Sequence, residues 1–221
     1  VARYRLEICK GEEVRFISHL DFMKAFERAL RRAKIPVAFS EGFNPHPKIA
    51  FASALPVGVT SACELVDLEL QEELPAAEVK QRLEKALPPG IKVNAVNRCH
   101  DKQPALMAVI NRSEYLVRVQ AIPDAVIHYQ LLQEAIKSFL GKDALVVEKK
   151  TKKGLRERDI RKGVYSLRGW LEGNDIMLEM VLQTGTEGNV RPEDVLSGLI
   201  SLGLPLDKDF ARVHRTRLFS V

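Results

Sequence analysis

The period of the apolar residues changes several times along the chain, and the order of those changes restricts the fold more than any other feature. Residues 3–10, RYRLEICK, alternate apolar and polar side chains as a half-buried strand does. Further on the period lengthens. Phe22, Met23, Phe26, Ala29, Leu30 and Ala33 share one face at 100° per residue, while Lys24, Arg28, Arg31 and Arg32 gather on the opposite one. Ser18 is a candidate N-cap with Asp21 three residues on, and Pro36 is a stop, so a helix is predicted over about 19–34. After it, IAFASALPVG and ACELVDLEL read as extended, PAAEVKQRLEKAL as a helix halted by PPG, and IKVNAVNRC as a strand. Strand, helix, strand, strand, helix, strand is the split βαβ order, in which helices cover one face of an antiparallel sheet and leave the other available.

The second half repeats the plan: strand EYLVRVQA, a helix from about Asp124 to Phe139, strands ALVVEKK, VYSLRGWLEG and DIMLEMVLQT, a helix beginning near Pro192, and a closing strand around ARVHRTRLF. The predicted fold class is therefore α+β, with two ferredoxin-like (split βαβ) domains in tandem. They are expected over 1–100 and 113–221, joined by a linker at 101–112, and the second is expected to carry an exposed basic loop over 149–162.

Composition narrows the class. With 46% apolar and 29% charged residues the chain has enough apolar surface to form a core in each half, unlike a disordered chain. A net charge of +5 over 221 residues says little about partners by itself. Cys9, Cys63 and Cys99 are odd in number, far apart and set among apolar residues, which fits neither a disulfide framework nor a metal site. They read as reduced core thiols. No apolar run reaches bilayer length and VARYRLEICK lacks a signal peptide's apolar region, so a cytoplasmic protein with no membrane partner is expected.

Three stretches carry candidate chemistry. In FSEGFNPHPKI the prolines restrict themselves and the residues before them, and Gly42 permits a backbone conformation closed to other residues. Such a loop would hold Asn44, His46 and Lys48 in place, an amide, an imidazole and an ammonium suited to a phosphate or a base edge. An elaborate turn whose polar groups satisfy only its own backbone is the alternative. Ser18, His19 and Asp21 are too close in sequence to form a catalytic triad. Ser18 reads as a cap, and His19 either as a hydrogen-bonding residue at the helix start or as a residue facing the same cleft as His46. If the two histidines converged they could serve as acid and base on a ribose hydroxyl and phosphodiester.

The second stretch is denser in charge. Lys149, Lys150, Lys152, Lys153, Arg156, Arg158, Arg161 and Lys162 stand against only Glu157 and Asp159, a local charge of +6 that suits a polyanion or simply a solvated loop. Tyr165 and Trp170 follow and could stack on bases or sit in the sheet. In the third, GTEGNVRPEDV, Arg191 precedes a helix whose first N–H groups could receive a phosphate; no Lys-Ser/Thr follows the glycines, so it is no P-loop.

The stretch RFISHLDFMKAFERALRRAKIPVAFSEGFNPHPKIAFASALPVGV, with KTKKG, DIR, GNVRPEDVL and HRTRL, resembles the uncharacterised radical-SAM-linked protein family over most of the chain. The matching positions include Phe16, Ser18, His19, Asp21, Gly42, Phe43, His46, Gly154, Asp159, Arg161, Asn189 and Arg191. Lys162 stands where a proline commonly follows the arginine in that family. The resemblance implies a companion of, or C-terminal fusion to, a cobalamin-binding-type radical SAM protein. That partner would carry the iron–sulfur cluster and S-adenosylmethionine; this chain has no CxxxCxxC and is expected to bind no cofactor or metal itself.

The leading expectation is an RNA-binding accessory module that presents an rRNA or tRNA to a radical SAM enzyme and has no catalytic activity alone. The competing readings are a metal-independent endoribonuclease using His19 or His46, and a protein-docking adaptor without RNA contact. His46→Ala separates a site from a turn. A preformed site loses RNA affinity with little change in melting temperature, whereas a large fall in melting temperature with unaltered affinity identifies a turn.

Overall fold

Burial in the first strand, β1 (Ala2–Lys10), follows the alternation of its sequence, with every second side chain from Ala2 to Lys10 buried. The computed structural model describes residues 2–100, 103–151 and 154–221. It divides into two units, Val1–Ile110 with Arg215–Val221, and Asn111–His214. The architecture is mixed α+β, with helices and largely antiparallel sheet.

The first unit continues with α1 (His19–Arg32), β2 (Ile49–Phe51), β3 (Val59–Leu70), α2 (Ala76–Ala86), β4 (Ile91–Arg98) and a short α3 (Leu106–Val109). β1 lies between β3 and β4, antiparallel to both, and β2 pairs antiparallel with β3. The final strand of the chain, β10 (Leu206–Phe219), is also a neighbour of β3. Tyr4, Leu6 and Ile8 of β1, Val66 and Leu68 of β3, Phe22, Phe26 and Leu30 of α1, and Val79 and Leu83 of α2 form the core. Ser18 caps α1 as its sequence predicts, its hydroxyl oxygen accepting from the Asp21 N–H at 3.1 Å.

The other face of this sheet is not left available as expected. Arg5, which alternation places there, pairs with both carboxylate oxygens of Asp67 at 2.8 and 3.0 Å and donates to the Pro104 carbonyl at 3.1 Å. Arg3 donates to the Gln103 carbonyl. Leu106, Ile110 and Leu218 pack with Ala52 against Leu65. Part of the segment expected as a linker is therefore a structural element of the first unit. Its apolar half, ALMAVI, has somewhere to be buried, and the unit boundary falls after Ile110.

The second unit contains β5 (Arg112–Ala121), α4 (Tyr129–Leu140), β6 (Val146–Thr151), β7 (Gly154–Asp159), β8 (Val164–Glu172), β9 (Asp175–Gln183), α5 (Pro192–Ser201) and the first part of β10, in the order β10-β5-β9-β8. α4 begins five residues later than expected. Asp124 adopts a left-handed φ of 64° and His128 is extended, so no continuous helix runs from Asp124 into α4. The expected loop over 149–162 is largely a hairpin, β6 pairing with β7 from Val146↔Asp159 to Thr151↔Gly154. The Asp159 carboxylate closes its base by accepting from the N–H groups of Leu145 (2.8 Å) and Arg161 (3.0 Å). These bonds, the one from Arg161 foremost, hold its carboxyl below the usual range.

The end of the chain is tied to the first unit by charge. Arg215 donates from Nη1 to both carboxylate oxygens of Glu64 at 3.0 Å and from Nη2 to the Ala54 carbonyl at 3.2 Å; the two residues are 2% and 1% exposed. Removing one member leaves the other charged and buried. Arg215→Ala should therefore lose about 3–5 kcal/mol of folding stability in a urea titration, while Glu64→Leu with Arg215→Met should recover most of the loss. Equal stability of Arg215→Ala and the native chain would show that the pair anchors nothing.

Candidate functional site

The basic stripe of α1 follows directly from its amphipathic pattern. Burial of Phe22, Phe26, Ala29 and Leu30 turns Lys24, Arg28 and Arg31 outward at spacings of four and three residues, one above another on the helix surface. All three are exposed, and none of their side chains takes an ion pair or hydrogen bond among the described residues. Arg32, expected in the same group, is exposed and donates to the Ala86 carbonyl at the end of α2 at 2.6 Å. Three cations thus remain available to a polyanion, with Arg32 partly engaged.

Residues 39–47 form a small closed turn. Phe39 and Pro47 are bridged, the Ser40 N–H donates to the His46 carbonyl at 2.8 Å, and the His46 N–H donates to the Ser40 hydroxyl at 3.0 Å. Gly42 permits the reversal with a φ of 115°. Asn44, His46 and Lys48 are all exposed, as is the whole of Phe43. Lys48 forms an ion pair with Glu69 at 2.9 Å, which reduces its value as a phosphate contact. The structure does not bring His46 and His19 into a common set of contacts among the described residues. His46 is bonded to Ser40, whereas His19 sits edge-on against Phe51 with ring centroids 5.3 Å apart.

In the second unit the basic residues divide by role. Arg161 is structural: its guanidinium donates to the Leu140 carbonyl at 3.2 and 2.7 Å and to the Val164 carbonyl at 3.0 Å, closing the C-terminal end of α4. Arg158 donates to the Asn189 carbonyl at 2.8 Å. Arg156 is exposed opposite Lys149, and Lys150 stands opposite Leu155. Lys152 and Lys153 lie outside the described residues. At the start of α5 the Arg191 N–H is taken by the Asp194 carboxylate at 3.0 Å, and Pro192 has no N–H, so this terminus is already capped; the Arg191 side chain itself is exposed. Tyr165 carries the Arg112 guanidinium over its ring at 3.5 Å, which covers one stacking face.

A polar cluster escaped the sequence reasoning. Lys10, 1% exposed, donates to the carbonyls of Arg15 (3.0 Å) and Ile17 (3.1 Å), next to the Glu64–Arg215 pair. Its signal was present: Lys10 and Glu64 occupy inward positions of the alternation that buries Ile8 and Val66. Burial lowers the Lys10 pKa against the opposing pull of Glu64. Nδ1 of His19 and Nε of Arg15 are buried without a hydrogen-bond partner among the described residues. Among those residues no cluster of three or more His, Cys, Asp or Glu could hold a metal.

Burial, reinforced by the positive charges of Arg215 and Lys10, holds the His19 pKa below its ordinary 6.5. The sign of the pH effect follows. The unfolded chain takes up the proton as pH falls through about 6.5 and the folded chain resists it, so stability is fully present above that pH and declines below it. Between pH 7.5 and 5.5 the urea midpoint of the native chain should fall more than that of His19→Gln. Parallel curves would remove His19 as the cause.

Comparison with known proteins adds the family and the fold. Among curated proteins nothing matches. Two chains of solved structures are similar over nearly all of this chain. One belongs to a crystal structure of a Cbf5-Nop10-Gar1 complex (15% identity, 99% of this chain, 50% of that chain, TM-score 0.53). The other belongs to the archaeal box H/ACA sRNP Nop10-Cbf5 complex (14% identity, 98% and 47%, TM-score 0.49). This chain spans about half the length of each, and at such identity the first likeness is one of fold alone. The model of the family described as "Uncharacterized protein conserved in bacteria (DUF2344)" matches residues 3–192, and the chain belongs to that family.

Proposed function

We propose that this chain is an RNA-binding accessory module that presents an rRNA or tRNA to a partner radical SAM enzyme. The observation that carries RNA binding is the stripe of Lys24, Arg28 and Arg31, three exposed cations on one helical face whose side chains are without partners among the described residues. The basic hairpin of the second unit, with Arg156 exposed, and the exposed Lys162 in the turn after it support the same reading. The radical SAM partner, with its iron–sulfur cluster and S-adenosylmethionine, rests on the family resemblance carried by the RFISHLD and GFNPHPK stretches. A protein partner is also favoured by Phe16 and Leu20, apolar side chains 70% and 66% exposed at the start of α1.

The domain plan belongs to this proposal. In the first unit β4, β1, β3 and β2 are neighbours in that order, and in the second β10, β5, β9 and β8 are. Each supports a split βαβ unit in which the first strand of the unit takes a central place.

Replacing Lys24, Arg28 and Arg31 together with Ala tests RNA binding. The plot of log affinity against log salt should flatten by about two to three units, one counterion equivalent for each phosphate no longer neutralised, with little change in melting temperature. An unchanged slope removes the stripe from the interface.

A further inference from the structure

The second unit contains an open cleft of about 360 Å³ between the end of β5, the approach to α4 and the β8–β9 turn. Most of its lining side chains are apolar, among them Val126, Ile127, Leu171 and Ile176, and Gln120 and Asn174 add two primary amides, while polar atoms make up somewhat more of the cleft's surface than apolar ones. Among the described residues no ionised side chain lines it. The amides are held by the fold. Gly173, with a φ of 61°, takes the first central position of the two-residue turn between the paired Glu172 and Asp175, and so places Asn174 at the rim. Gln120 is oriented by Asp175: a carboxylate only accepts, so the Gln120 group facing it at 2.8 Å is Nε2, and Oε1 is left as an acceptor. Asp175 is itself fixed by Arg118 at 3.0 Å.

We infer that this cleft receives a single unpaired nucleobase, its ring laid against the apolar side chains of Val126, Leu171 and Ile176 and its edge read by the Gln120 and Asn174 amides. Its volume lies at the small end of the range of ligand pockets, about 300–1,000 Å³, and suits one ring system. With no cationic side chain among its described lining residues, the cleft offers a phosphate no counter-charge. It favours a flat, uncharged heterocycle whose own carbonyl and amino groups match an amide, the mode in which proteins read unstacked RNA bases. This inference rests on the RNA-binding reading for the source of the base, but the cleft can be tested apart from it, because a free nucleoside offers the same edge without the polyanion.

The experiment uses the full chain in three forms: native, Asn174→Ala, and Val126→Trp, which fills the cleft from a 69% exposed position. Titration with adenosine, guanosine, cytidine and uridine at millimolar concentration is followed by amide NMR shifts, and a single-stranded oligonucleotide is titrated in parallel at several salt concentrations. Localised shifts at Ala125, Gly173 and Asn174 in the native chain are expected, absent in Val126→Trp. Oligonucleotide affinity should fall about tenfold in both variants, the worth of one stacked and bonded base, with the salt slope unchanged. Nucleoside shifts without oligonucleotide binding would support the cleft and overturn the RNA reading, making the free nucleoside the ligand. Native oligonucleotide affinity in both variants, with no nucleoside shifts, would overturn the cleft and leave the RNA reading standing. Shifts produced equally by a simple aromatic such as indole, with no preference among the nucleosides, would also overturn it and assign the cleft to an apolar side chain.

Discussion

The pairing of Glu64 with Arg215 is the constraint around which the first unit is built. A carboxylate on the inward face of β3 would be untenable in a core of Ile8, Val66 and Phe22 without a cation, and the cation comes from 151 residues further along the chain. Lys10 adds a second positive charge at the end of the neighbouring strand, anchored by two carbonyls from the turn that leads into α1. Lys10 thus ties the approach to α1 to β1, and the Glu64–Arg215 pair ties the inward face of β3 to the end of β10, beyond what apolar packing alone would specify. This is also why the His19 pKa is held below its ordinary value: burial, to which Phe51 contributes, and the positive charges of Arg215 and Lys10 all disfavour the charged ring.

The first helix was legible because its information is local. The 3.6-residue spacing of Phe22, Phe26, Ala29 and Leu30, the Ser18 cap and the Pro36 stop all lie within 19 residues, and the resulting helix ends within two residues of expectation. The basic stripe was legible for the same reason, as the complement of the buried face. What was not legible depends on partners distant in sequence. Nothing near Arg215 says that it is buried; HRTRLF reads as polar strand. Leu106 and Ile110 looked like part of a linker because the polar HDKQP before them dominates the local composition, and their burial becomes clear only when Leu65 and Leu218 are brought beside them.

Charge density misled in one direction and location misled in another. A run of eight cations hid the strand pairing of 146–159, since β-propensity is weak beside cross-strand packing and here the pairing is fixed by Asp159 at its base. Arg161, one of the eight, is a carbonyl-binding strut rather than an anion contact. The turn at 39–47 is closed by bonds between Ser40 and His46, and its tip carries Asn44, His46 and Phe43 exposed.

The division of the chain bears on how it is made. The first unit takes its last residues, Arg215–Val221, from the far side of the second. During synthesis Glu64 leaves the ribosome long before Arg215 does, and at about 5–20 residues per second the 151 residues between them take roughly 8 to 30 s to appear. Through that interval β3 has neither its ion pair nor β10 as a neighbour. The second unit, contiguous from Asn111 to His214, has all of its own strands in hand before the first can close. Closure of the first unit thus waits on the synthesis of Arg215–Val221, and a product that stops before Arg215 would carry a buried acid with no counter-charge.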